Sequence, residues 1–140
     1  MTIWRIVLLP ALLLPALSTS MAPAQAEVAP KRVLVELRKQ GGFAGLNDRV
    51  VVYGSGCVRL SRRTGPTIDK CLTAKEERKL RGYLRHLKIG RSQRPPQGAD
   101  FIKYTLAYDK RRASVYDVPS TWRPVVRELD KIMEKYWAPD

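Results

Sequence analysis

Apolar and polar residues alternate through Val33, Val35 and Leu37 against Leu34, Glu36 and Arg38, which predicts a strand over residues 32–38. The β-branched run Val50-Val51-Val52-Tyr53 predicts a partner strand over 49–53. Gly54-Ser55-Gly56 is a tight turn, and alternation resumes from Cys57 to Arg62 until Thr64-Gly65-Pro66 breaks it. Thr67 to Cys71 is then expected to form a short return strand, with Cys57 and Cys71 roughly opposite each other. The period changes at Thr73. Thr73-Ala74-Lys75-Glu76 has the form of a capping box, and Leu80, Tyr83, Leu84 and Leu87 follow on one helical face. Gly90 is placed as a C-terminal stop, so a helix is expected from Ala74 to Ile89. Its first turn is acidic (Glu76, Glu77) and its last turn basic (Arg85, His86, Lys88), as the helix dipole favours.

Gly90 to Gly98 contains Pro95 and Pro96 and is predicted to be an exposed, mobile connector. Phe101 to Tyr108 alternates again. Asp109-Lys110-Arg111-Arg112 is a polar turn, and Ala113 to Val118 returns as the second arm of a hairpin. Pro119 ends that strand, and Ser120 or Thr121 is placed to cap a final helix. Val125, Leu129, Ile132, Met133 and Tyr136 form its apolar stripe. The order β-β-β(β)-α-β-β-α, with short connections, predicts one small α+β domain: an antiparallel sheet of about four or five strands with two helices on one face.

The segment between the first two strands departs from ordinary loop chemistry. Gly41-Gly42-Phe43-Ala44-Gly45-Leu46 combines three glycines with an apolar tip. Glycine at such density marks backbone that needs positive φ or a close approach. The apolar tip has two readings: Phe43 packs under the first helix, or the loop offers Phe43 and Leu46 to a partner.

Composition narrows the setting. Arg5, an apolar run from Ile6 to Leu17 and the small-x-small sequence Ala24-Gln25-Ala26 predict a signal peptide over 1–26, a flexible lead over 27–31 and the domain over 32–137. The run of about 12 apolar residues, interrupted by two prolines, is shorter than the roughly 20 a spanning helix needs. No membrane segment is expected after cleavage near Ala26, and the product is expected in the periplasm or outside the cell. The full chain carries a net charge of +13, and Arg5 is the one charge in the leader. Such a balance suits acidic partners or an anionic surface. Cys57 and Cys71 are expected to pair in an oxidising compartment, closing a loop of roughly 15 residues worth ~3 kcal/mol.

Catalytic constellations are not visible. His86 is the single histidine and has no partner that would make it a base. Two thiols and one distant imidazole do not complete a zinc shell. No cofactor is expected, and the carboxylates are scattered. Gly41-Gly42-x-x-Gly45 lacks the form of a phosphate loop. Tyr104 and Tyr108 beside Lys103 and Lys110 superficially suit nucleic acid, but they fall on an alternating face better explained as core, and no nucleic-acid motif accompanies them.

Taken in order, several segments resemble the emfourin family, small protein inhibitors of protealysin and related thermolysin-like metallopeptidases. They are the strand followed by Gly41-Gly42-Phe43-Ala44-Gly45, the capped helix Thr73 to Leu87, and the strand Asp100-Phe101-Ile102-Lys103-Tyr104-Thr105-Leu106. The return strand, proline turn and last helix within Ala113 to Met133 complete the series. The resemblance spans residues 32–133. This chain differs by its leader and by the inserted Cys57–Cys71 segment. The resemblance implies a non-catalytic inhibitor whose loop Gly41, Gly42, Phe43, Ala44, Gly45 and Leu46 occludes a peptidase cleft; separately, a monomer is expected. A basic extracytoplasmic module for an anionic surface or an acidic protein is the alternative, with Arg111 and Arg112 as its test positions.

Overall fold

A computed structural model describes residues 31–98 and 100–137. The expected signal peptide and most of the lead lie outside the described residues. Six strands form one antiparallel sheet in the order β4-β3-β2-β1-β5-β6. They are β1 (Val33–Gly41), β2 (Leu46–Tyr53), β3 (Cys57–Ser61), β4 (Ile68–Cys71), β5 (Ile102–Tyr108) and β6 (Arg111–Val115). Two helices, α1 (Ala74–Leu84) and α2 (Arg123–Trp137), complete the domain. The sixth strand is the short return segment β4, which pairs with β3 so that Cys57 faces Cys71. A disulfide joins the two.

The core follows the alternation. Val35 and Leu37 of β1, Val50 and Val52 of β2, Val58 and Leu60 of β3, Leu106 of β5 and Ala113 and Val115 of β6 are buried in one cluster with both helices. From α2, Val125, Leu129, Ile132 and Met133 enter it, and Tyr136 packs at its margin. Trp122 joins them at 0% exposure. Its indole donates to the Lys88 carbonyl at 2.9 Å. Lys39 of β1 reaches Asp130 of α2 at 2.6 Å, and Lys79 of α1 reaches the buried Glu128 of α2 at 3.1 Å.

Three local expectations need correction. The first helix stops at Leu84, not Ile89. Beyond it the amides of His86 and Leu87 bond to the carbonyls of Tyr83 and Leu84, tightening the chain into three-residue turns. Ile89 then inserts into the core while Lys88 serves Trp122. That tertiary pull outweighs continued helical propensity, and Gly90 takes its positive φ outside the helix. His86 is exposed just past the helix end. The polar turn between β5 and β6 comprises only Asp109 and Lys110, with φ of 48° and 62°, because Arg111 and Arg112 already pair with Tyr108 and Ala107. The last helix is entered through a turn in which the Pro119 carbonyl accepts from the amides of Trp122 and Arg123. Burial of Trp122 moves the start past Ser120 and Thr121.

The connector is exposed but tethered. The Gln93 amide bonds to Ser114 O, the Ser92 hydroxyl accepts from Ser114 N, and Gln93 Oε1 accepts from the amides of Tyr116 and Asp117. It covers the outer edge of β6, which would otherwise present unpaired amides.

The capping box at Thr73 forms as expected. Its Glu76 also accepts from Lys135 and Tyr136 of α2, each at 2.6 Å. Burial pushes the Glu76 carboxyl up, but hydrogen bonds from Lys135, Tyr136 and Thr73 outweigh it and hold it at about 2, below its ordinary 4.5. The network therefore stabilises the fold fully above pH 4.5 and fades as pH falls toward 2. Lys135 is half exposed, so screening reduces the contribution to about 1 kcal/mol. Urea unfolding from pH 5 to 2 should show the parent protein losing about 1 kcal/mol more than Glu76→Gln. Equal losses would show that Glu76 does not carry this dependence.

Candidate functional site

β1 and β2 pair without interruption from Val35↔Val52 to Gly41↔Leu46, so the turn between them holds Gly42, Phe43, Ala44 and Gly45. Gly45 N bonds to Gly42 O at 3.0 Å and closes it. Phe43 and Ala44 occupy the two corner positions of a β-turn. Gly41, Gly42 and Gly45 have φ of 98°, 73° and 58°, a region that side chains disfavour.

The turn is braced from one side by Asp100 and Phe101, just before β5. Gly42 N donates to Phe101 O at 3.1 Å, and Phe43 N donates to Asp100 Oδ1 at 2.9 Å. A Cβ at position 41 would lie 2.6 Å from the same Phe101 oxygen. Only glycine lets the two backbones meet this closely. From the other side, a Cβ at position 45 would lie 2.5 Å from Arg63 Nη1 in the β3–β4 turn.

That second turn is itself anchored. Trp137 Nε1 donates to Pro66 O at 3.1 Å, the Arg62 guanidinium lies 4.6 Å from the Trp137 ring centroid, and Gly65 packs against the ring. A shallow depression lined by Ala44, Gly45, Arg62, Arg63 and Trp137 separates the two turns.

Phe43 crowns this end of the molecule at 94% exposure, with Phe101 beside the brace at 43%. Packing of Phe43 beneath α1 is therefore overturned. Ala44 is also exposed, whereas Leu46 is half buried and begins β2, so it does not share the tip. Cys57 and Cys71 lie at the other end of the β3–β4 hairpin from its turn. Sequence reasoning missed Asp100, Arg62, Arg63 and Trp137 as parts of this end. An aspartate preceding a strand is a weak sign, because its acceptor role depends on the β1–β5 register.

A larger cleft of about 760 Å³ lies at the opposite end, against Lys31, Arg32, Tyr53, Arg81 and Lys110. Among the described residues, no group of three or more His, Cys, Asp or Glu could hold a metal, and no helix is long and apolar enough to cross a membrane. The chain matches no family model, and no curated protein or solved structure is significantly similar to it.

The bracing and the exposure separate by substitution. Gly41→Ala should cost about 2–4 kcal/mol, combining a strained φ with a clash against Phe101 O. Phe43→Ala should stay within about 0.5 kcal/mol, since its side chain touches little. Urea denaturation of both variants reads the difference, and a large loss for Phe43→Ala would return that ring to the core.

Proposed function

We propose that the protein is a secreted, non-catalytic inhibitor of a thermolysin-like zinc metallopeptidase, with Phe43 as the anchor that occludes the cleft. The observation that carries this reading is an almost fully exposed phenylalanine on a braced turn. An aromatic ring in water is a standing cost that a pocket removes, and buried aromatics dominate many interfaces.

Bracing supports the same reading. Hydrogen bonds from Gly42 and Phe43 to the Asp100–Phe101 segment hold the turn before any partner arrives. Less conformational entropy is then lost on association. The net charge, +13 for the full chain and +12 once Arg5 is removed with the leader, favours approach to an acidic enzyme surface. The order of the glycine loop, capped helix and Asp100-Phe101 strand resembles the emfourin family. On this reading the inserted, disulfide-closed β3–β4 hairpin supports the loop from the Arg63 side.

The inhibitor binds by complementarity and is not turned over. Phe43 fills the apolar pocket beside the catalytic zinc of the enzyme, and substrate is excluded from the cleft. At stoichiometric dose the protein should abolish cleavage of a chromogenic peptide by a susceptible thermolysin-like peptidase. Phe43→Ala should raise the inhibition constant about 30- to 1,000-fold, the range of a hot-spot truncation worth 2–4 kcal/mol. Micromolar protein that leaves a panel of such enzymes untouched would contradict the proposal.

A further inference from the structure

The sheet face turned away from the helices carries a second feature, independent of the loop. Core positions alternate with Glu36 and Arg38 on β1, Arg49 and Val51 on β2, Thr105 and Ala107 on β5, and Arg112 and Ser114 on β6. The register places Arg38 directly opposite Arg49, and sets Arg112 two strands away from Glu36 across Ala107. Like charges face to face across a strand pair destabilise a sheet unless something stands between them.

Glu36 stands between them. It is only 8% exposed. Its Oε1 lies 2.9 Å from Arg49 Nε and 3.4 Å from Arg38 Nε, and its Oε2 lies 3.7 Å from Arg112 Nη2. One carboxylate thus gathers three guanidinium groups and neutralises one of them. Arg38 and Arg49 engage it through Nε, and among the described residues no other acceptor is bonded to their terminal nitrogens. Arg59, further along the face, is fully paired with Asp69 through two bonds of 2.9 and 3.2 Å. Three guanidinium groups against one carboxylate leave a local surplus of two positive charges around Glu36.

We infer that this face binds a linear anionic polysaccharide through Arg38, Arg49 and Arg112, with Glu36 as the residue that positions them. Guanidinium forks match planar carboxylate and compact sulfate groups, and strands spaced about 4.8 Å apart hold several forks in one plane. Two features disfavour other anionic partners. Val51, Thr105, Ala107 and Ser114 separate the arginines, so no ring lies there for a base to stack on. Tyr53, at the far end, is covered by the Lys31 ammonium, 5.5 Å from its ring centroid. Val51, between the arginines, is 3% exposed, and the exposed apolar side chain near Glu36 and Arg112 is Val33 at 48%, which is small beside the aromatic anchors a protein interface centres on.

The test is fluorescence anisotropy with a labelled heparin octasaccharide and a labelled polyuronate of equal length, titrated at several salt concentrations. The combined variant Glu36→Gln, Arg38→Gln, Arg49→Gln, Arg112→Gln should bind about tenfold or more weakly, with a flatter salt dependence. Arg91→Gln with Arg94→Gln removes the same net charge from the exposed connector and should change affinity less than about twofold. Should the combined variant fail to fold, Arg112→Gln alone on the edge strand should still cost about threefold. Equal losses from face and connector variants would overturn the inference, because bulk charge would then suffice. Tighter binding to single-stranded DNA or to anionic phospholipid vesicles than to either saccharide would overturn it as well. Inhibition of a metallopeptidase should be unchanged in the face variant, which separates this surface from the Phe43 loop.

Discussion

One carbonyl oxygen governs the architecture of the loop end. Phe101 O accepts from Gly42 N and occupies the space a side chain at residue 41 would need. This contact exists because β1 pairs with β2 on one side and with β5 on the other, all the way to Gly41. The central position of β1 fixes the base of the turn from two strands at once. Phe43 is then carried outward as a consequence of backbone geometry, with Asp100 holding its amide. A glycine-rich turn commonly brings flexibility, but these glycines serve close approach, and the result is a supported tip.

The opposite end of the β3–β4 hairpin is closed by Cys57–Cys71, and its turn is clamped to α2 through Trp137. The β3–β4 hairpin thus extends the sheet by two strands and places Arg63 against Gly45. The loop end is built by four parts of the chain far apart in sequence: the β1–β2 turn, the β3–β4 turn, Asp100 with Phe101, and Trp137. The sheet face around Glu36 is built in the same manner, from β1, β2 and β6. The protein accordingly offers two distinct surfaces: an apolar tip, and a basic plate on the flank of the sheet.

Much of the fold was legible because its determinants are local. Thr73 and Glu76 announce a helix start through bonds made within one turn. The alternation in β1, β2 and β3 names the core face directly, and the spacing of Val125, Leu129, Ile132 and Met133 does so for α2. The two cysteines fell opposite each other because a single turn separates their strands. The end of α1 was not legible, since it is set by Trp122 reaching Lys88 O and by Ile89 entering the core. The connector looked free because nothing near Gln93 in sequence hints that its side chain clamps Tyr116 and Asp117. At the candidate site the loop itself was visible as three glycines around an apolar tip. The exposure of Phe43, the bracing by Asp100 and the convergence of three arginines on Glu36 all required the register.

The account rests on Phe43 being held in solvent for a partner to bury. The structure of a stoichiometric complex with a susceptible thermolysin-like peptidase tests this most directly. The account predicts the Phe43 ring seated in the apolar pocket beside the zinc, with the hydrogen bond from Gly42 N to Phe101 O unchanged from the free protein. A complex docked through the helices or the arginine face, leaving Phe43 in water, would contradict it.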